Sequence, residues 1–126
     1  MLAIDTNVLV RLLTRDDPKQ YNKALSAITE GAWVSHIVLI ETLWVLGSLY
    51  ELTDAQLKKI LRILLTHEHL MHEDSAVVEL ALLDFEENSK VGFVDCMILA
   101  IARQHKKMPL LTFDKALSRL RDVKIL

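Results

Sequence analysis

Four acids in this chain stand where charge is usually excluded. Asp5 follows the apolar Leu2-Ala3-Ile4, and Glu41 lies inside Leu39-Ile40-Glu41-Thr42. Asp95 falls in Phe93-Val94-Asp95-Cys96, and Asp114 closes Thr112-Phe113-Asp114. Each sits at, or within two turns of, the junction between an apolar stretch and a helix. Carboxylates facing one another repel unless they share protons or hold a hard divalent cation. An acid just after a strand is also an ordinary helix cap, favoured by free N–H groups and the helix dipole. Asp74 is read as such a cap and nothing more. Glu41 is different, because it lies about two turns inside a helix among Ile37, Val38, Leu39, Ile40, Leu43, Trp44 and Val45. Its side chain points back toward the helix N-terminus, and a charge among such neighbours needs a counter-charge or a metal. The set as a whole reads as a site for metal-dependent phosphoryl chemistry.

The elements that must position these acids alternate between strand and helix. Leu2-Ala3-Ile4 predicts a short buried strand, followed by a helix over Thr6 to Leu13. Asp17-Pro18 predicts a helix start with Asp17 as cap and Pro18 in the first position, and Gly31 marks its far end. Trp33-Val34-Ser35 is the second strand, and His36 to Tyr50 the helix after it. Thr53 and Gln56 form a capping-box pattern for a helix that turns Leu57, Ile60, Leu61 and Leu64 to one face. Leu70-Met71-His72 is the third strand. The next helix turns Val78, Ala81, Leu82 and Phe85 inward and Glu79, Glu86 and Glu87 outward. A helix from Val94 to about His105, the strand Leu110-Leu111-Thr112, a short helix after Asp114 and an edge strand Val123-Lys124-Ile125 complete the chain. Such alternation implies an α/β fold with a parallel sheet covered on both faces. Ligands in such sheets bind beyond the carboxyl ends of the strands, where strand order reverses. With the order 3-2-1-4-5, Asp5 and Asp114 would flank that reversal.

Size and composition narrow the class. The 126 residues suit one domain with a single core, residues 1–126. Apolar residues make up 52 % and there are only three glycines and two prolines, which excludes a disordered chain. The single cysteine, Cys96, excludes an internal disulfide framework and suits a reducing compartment. With no secretory signal and no apolar stretch long enough for a bilayer, the expected location is the cytoplasm, without membrane association. The net charge is −2, so the chain without the four acids is mildly basic. That balance neither requires nor excludes nucleic acid.

The quartet Ile4-Asp5-Thr6-Asn7-Val8-Leu9, Ile40-Glu41, Gly92-Phe93-Val94-Asp95 and Leu111-Thr112-Phe113-Asp114 resembles a PIN-domain ribonuclease. The compact chain is similar to the VapC-type toxins of toxin–antitoxin pairs. The resemblance covers essentially the whole sequence, and it is the order and spacing of the four motifs that make it specific. It implies a three-layer α/β/α sandwich with about five parallel strands, and Mg²⁺ or Mn²⁺ held by Asp5, Glu41, Asp95 and Asp114. It further implies hydrolysis of RNA to 5′-phosphate and 3′-hydroxyl products, a homodimer, and a small antitoxin lying across the active site. The RNA target expected is tRNA or another structured RNA, with mRNA the alternative. Ala116 departs from the pattern, since many relatives carry an acid two residues after the last metal-binding Asp.

Other residues take supporting parts. Thr6, Asn7 and Thr112 are candidates to orient ligands or bound water, though capping and turn hydrogen bonds would explain them equally. Arg11 and Arg15, one turn apart, are candidates to engage RNA phosphate. His67, His69 and His72 lie close together, but no cysteine completes a zinc set and His72 has the wrong strand parity. Cys96 reads as a small core residue, since no His-Asp constellation accompanies it. Trp33 and Trp44 are expected in the core or at a subunit interface rather than stacked on bases. The apolar helix from His36 to Tyr50, with Trp44, Leu46, Leu49 and Tyr50, offers more apolar surface than one core absorbs. A receiver-type signalling domain would need paired acids after the first strand, where Asp5-Thr6 stands. A haloacid-dehalogenase-type phosphatase would need Asp in place of Asn7. A PIN-like scaffold that only binds remains the non-enzymatic alternative.

Overall fold

The computed structural model describes residues 1–126. The chain forms six α-helices and five short parallel strands, an α/β protein as expected. It falls into two compact units, Met1–Ser75 and Ala76–Leu126.

In the first unit, strand β1 (Leu2–Ala3) leads to helix α1 (Thr6–Thr14), followed by α2 (Pro18–Ala27). Strand β2 (Ala32–Val34) is followed by α3 (His36–Ser48), α4 (Asp54–Thr66) and strand β3 (Leu70–His72). The helix starts follow from local chemistry. Asp17 Oδ1 accepts from the Gln20 N–H at 3.0 Å, with Pro18 opening α2. Thr53 and Gln56 close the full reciprocal capping box, at 2.9 and 3.3 Å. Gly31 ends the turn after α2 with φ +92°, a conformation that costs any residue with a Cβ.

The three strands pair in parallel in the order β1-β2-β3, with Leu2 opposite Ala32 and Ala32 opposite Leu70. Ala32 and Val34 turn inward from β2, while Leu9, Ile28, Leu39, Leu46 and Leu61 are essentially inaccessible. β1 is not the buried strand that its apolar letters suggest. It is paired on one side only, and Leu2 remains 72 % exposed.

The second unit contains nearly all of α5 (Ser75–Glu87) and the whole of α6 (Phe93–Gln104), β4 (Leu110–Thr112), a 3-10 turn (Leu117–Arg119) and β5 (Val123–Ile125). As the periodicity requires, Val78, Ala81, Leu82 and Phe85 are buried on α5, while Glu79, Glu86 and Glu87 are exposed. Phe85 meets Phe93 with ring centroids 5.8 Å apart, a tilted aromatic pair. Cys96 is fully buried beside Met97, Leu99 and Ala100, the core position expected for it. Arg103 fastens this unit, donating to Asp84 and Asp122 at 3.1 Å each and to the Arg121 carbonyl at 2.6 Å.

Strands β4 and β5 pair in parallel, Leu110 opposite Val123. The runs 3-2-1 and 4-5 of the expected order are thus both present, but as sheets of three and two strands rather than one continuous sheet. β1 is only two residues long, so it has few backbone groups to offer a further strand. No helix is long and apolar enough to cross a membrane.

Candidate functional site

Asp5 ends the segment after β1 and serves as the N-cap of α1, where its Oδ1 accepts from the Val8 N–H at 3.0 Å. The capping role considered for it from sequence is therefore real, and it occupies one of two carboxylate oxygens. Glu41 is exposed on the sixth position of α3, and its Oε1 accepts a hydrogen bond from the Thr6 hydroxyl. Asp5, Thr6, Asn7 and Glu41 all line one cleft of about 410 Å³, together with Ile37, Val38 and Val45 of the same helix as Glu41. The hydrogen bond from Thr6 joins the start of α1 to the middle of α3. Ile37, Val38 and Val45 are among the apolar neighbours of Glu41 named from the sequence. Ile37 and Val45 lie four residues either side of Glu41, so helical spacing alone puts them on its face.

Asp5 and Asn7 also line a second, larger groove of about 630 Å³ with Leu2, Ile4, Val8, Arg11 and Lys23. Arg11 donates from Nε to Gln20 at 2.6 Å and from Nη1 to Asp16 at 3.3 Å. Arg15 terminates α1 in the left-handed conformation and places its guanidinium 4.8 Å from the centre of the Tyr21 ring. Both arginines lie near the C-terminal end of α1, where positive charge is favoured. Asp16, which accepts from Tyr50 at 2.7 Å and Thr14 at 2.9 Å, has its carboxyl held below the usual range by those two bonds and by Arg11.

In the second unit, Asp95 is half-buried in the first turn of α6. Burial raises its pKa above the ordinary carboxylate value, and the negative charge of Asp114 raises it further. Asp114 is exposed beyond β4, where its Oδ1 caps the following turn by accepting from the Leu117 N–H at 2.9 Å. Thr112 Oγ1 accepts from the Asp114 N–H at 3.0 Å and so shapes the turn that carries this acid. The role of Thr112 here is a turn hydrogen bond, one of the two parts considered for it.

The acids are brought together in pairs: Asp5 with Glu41 in one unit, Asp95 with Asp114 in the other. No three His, Cys, Asp or Glu side chains gather closely enough to form a metal-binding group. The pairs nevertheless suit a hard cation. Mg²⁺ takes oxygen donors, commonly one or two carboxylates, and fills its remaining positions with water and substrate phosphate. Burial chiefly raises the pKa of Asp95, and the added repulsion from Asp114 is the kind a divalent cation relieves.

The three neighbouring histidines have other engagements. His67 Nδ1 accepts from the His69 N–H at 3.1 Å, and His72 Nε2 lies 2.8 Å from the Leu64 carbonyl. Neither tryptophan is in the core: Trp33 is 38 % and Trp44 60 % exposed. The reason is positional, since Trp33 lies between the two inward residues of β2 and Trp44 shares the open face of α3 with Glu41. Leu46 is buried, whereas Leu49 is 70 % exposed.

A search of curated proteins finds no matching relative. A family profile, that of the PIN domain, matches residues 2–123 and so takes in both units and all four acids. Members of that family are typically metal-dependent nucleases. On a match spanning nearly its whole length, the chain belongs to the PIN domain family.

Proposed function

We propose that this protein is a Mg²⁺- or Mn²⁺-dependent endoribonuclease, with Asp5, Glu41, Asp95 and Asp114 as both metal ligands and catalytic residues. The observation that carries the reading is the cleft in which Asp5 and Glu41 meet, with Thr6 donating to Glu41. A carboxylate oriented by a neighbouring hydroxyl has its oxygens aimed before a ligand arrives, which reduces the ordering cost of binding. When bound, the metal supplies an activated water and neutralises charge on the phosphoryl group being transferred.

The chain's own residues do the rest. Asp5 holds the start of α1 through its cap and keeps its second oxygen outside that bond. Thr112 and the Leu117 N–H fix the turn bearing Asp114. Arg11 and Lys23, in the groove that shares Asp5, are cations able to take RNA phosphates, with Arg15 at the same end of α1. Phosphate contacts of this kind position the strand without reading its sequence. The RNA is tRNA or another structured RNA, or alternatively mRNA.

The finer reading is that of a VapC-type toxin in a type II toxin–antitoxin pair, acting in the cytoplasm. Its support is the resemblance of the four motifs, which carries with it a homodimer and a small antitoxin. Exposed Leu49 at the end of α3 and Ile63 on α4, 70 % and 57 % accessible, are apolar surface of the sort a subunit interface covers.

RNA cleavage measured with Mg²⁺, Mn²⁺ and chelator, for wild type and for Asp5→Asn and Asp114→Asn, tests the nuclease. Metal-dependent cutting that both substitutions abolish is the expected result; equal cutting by wild type and variants would refute the site. The toxin reading is tested separately, by growth arrest on expression and by co-purification of a short partner.

A further inference from the structure

We propose that Phe113 and Lys115, on either side of Asp114, grip single-stranded RNA at the Asp95–Asp114 pair, Phe113 by stacking on a base and Lys115 by holding a phosphate. This rests on the nuclease reading and gives that site a preference for unpaired substrate.

The turn after β4 sets the geometry. Thr112 Oγ1 accepts from the Asp114 N–H at 3.0 Å, and Asp114 Oδ1 accepts from the Leu117 N–H at 2.9 Å. The Ser118 N–H donates to the Asp114 carbonyl at 3.0 Å, and its hydroxyl to the Lys115 carbonyl at 2.7 Å. These bonds hold the backbone from 112 to 118, and none of them uses the side chain of Phe113 or Lys115. Phe113 is 80 % accessible, the most open of the large apolar side chains, and Lys115 is exposed as well. A ring left in water forgoes the burial that usually stabilises it, so the fold gains little from Phe113. Consecutive Cα atoms are about 3.8 Å apart, so ring and ammonium are tethered directly to either side of Asp114. The charge of Asp114 reaches Asp95, so whatever these two side chains hold is held at the acid pair.

Charge and ring together select the occupant. From Asp114 onward the side chains carry four cations, Lys115, Arg119, Arg121 and Lys124, against the two acids Asp114 and Asp122. Asp122 is already taken by Arg103 and Arg121. No ion pair engages Lys115, nor Arg119 four residues further on. Within a chain of net charge −2, this segment is locally positive and its cations are uncommitted, which favours a polyanion. The exposed ring narrows the choice to a polyanion with flat faces, and a nucleotide brings phosphate and base together. Bases within a duplex are stacked on each other and leave only phosphates to contact. An acidic peptide supplies the charge without a base to stack.

The test is binding of fluorescein-labelled oligouridylate and oligoadenylate, read by anisotropy in chelator so that no strand is cut. Phe113→Ala should weaken binding of at least one strand about fivefold or more, with Phe113→Trp restoring it and Phe113→Leu not. Lys115→Ala should lower the slope of log affinity against log salt by about 0.7, the change for one phosphate contact on a single strand. An RNA duplex should bind wild type and Phe113→Ala equally. Both side chains are exposed, so urea midpoints and the mass from light scattering should not change. The proposal is overturned if wild type binds neither strand, if Phe113→Ala binds like wild type, or if Phe113→Leu restores binding as fully as Phe113→Trp. It is equally overturned by an unchanged salt slope in Lys115→Ala, by polyglutamate binding that shows the same loss in Phe113→Ala, or by a fall in mass that makes Phe113 a subunit contact. A protein that grips single strands in this way but cuts none with Mg²⁺ or Mn²⁺ defeats the nuclease reading and leaves the grip standing.

Discussion

The Asp95–Asp114 pair should change the sign of its coupling when Mg²⁺ is added. In the metal-free protein the two carboxylates oppose one another, since Asp114 helps raise the pKa of Asp95. The perturbation is a double-mutant cycle of Asp95→Asn, Asp114→Asn and both together, read as unfolding free energy with and without metal. A cycle is needed because each single change also loses something local. Asp95 lies in the first turn of α6, where the helix dipole favours an anion, and Asp114 caps the Leu117 N–H. Those losses appear in the single and double variants alike and cancel from the coupling.

Without metal the coupling should be unfavourable. Asp114 is exposed and Asp95 only half-buried, so solvent screening keeps it to a few tenths up to about 1 kcal/mol. With free Mg²⁺ at a hundred times its dissociation constant, binding stabilises the native state by about 2.7 kcal/mol. If both acids are required, either single substitution and the double lose that same stabilisation, so the coupling shifts by about 2.7 kcal/mol in the favourable direction, which outweighs the metal-free repulsion and reverses the sign.

The pH dependence follows from linkage. The folded pKa of Asp95 lies above the unfolded value of 3.8, so the metal-free penalty is absent below 3.8 and grows as pH rises through the folded value. Urea unfolding at pH 7 and pH 3, in chelator and in Mg²⁺, measures all of this. A coupling that keeps the same sign with and without metal would refute the reasoning, because these acids would then not share an ion.

Thr6→Val removes the hydroxyl that orients Glu41, and metal affinity or turnover should fall about 10- to 100-fold with little change in unfolding free energy; calorimetric titration and cleavage rates check this. Tyr50→Phe removes the first of the bonds that depress the Asp16 pKa. Wild type should therefore exceed the variant in stability above pH 3.8, with the difference lost as pH falls through the folded Asp16 value, which denaturant curves at several pH values would read. Leu99→Ala, at a fully buried position of α6, should cost about 2–5 kcal/mol in the same assay, the range for a large-to-small change that leaves a cavity.

The capping geometry around the candidate site is legible in the sequence, because its parts are short and local. The Asp5 and Asp114 caps each close over three residues, as do the Asp17 cap and the Thr53–Gln56 box. Such hydrogen bonds depend on residue type and spacing within one turn, so their letters suffice to place them. The faces of α4 and α5 were legible for the same reason, with Leu57, Leu61 and Leu64 buried on one and Val78, Ala81, Leu82 and Phe85 on the other. Glu41 was conspicuous as a lone charge in an apolar helix, but what it meets was not. Its hydroxyl partner Thr6 is 35 residues away.

By itself the sequence determined the α/β class, the helix starts, the parallel strand segments and the membership of four spaced acids in one family pattern. Only the tertiary structure decided that Thr6 donates to Glu41 and that Tyr50 joins Asp16 over 34 residues. It likewise decided that Arg103 clasps Asp84 and Asp122, that β1 lies exposed, and that the strands divide three and two. Trp44 shows why. Its apolar neighbours in sequence imply burial, yet exposure is set by what the rest of the chain packs against the face of α3, and there the indole stays open beside Glu41. Local hydrogen bonding depends on near neighbours in sequence, whereas burial and long-range pairing depend on segments that only folding brings together.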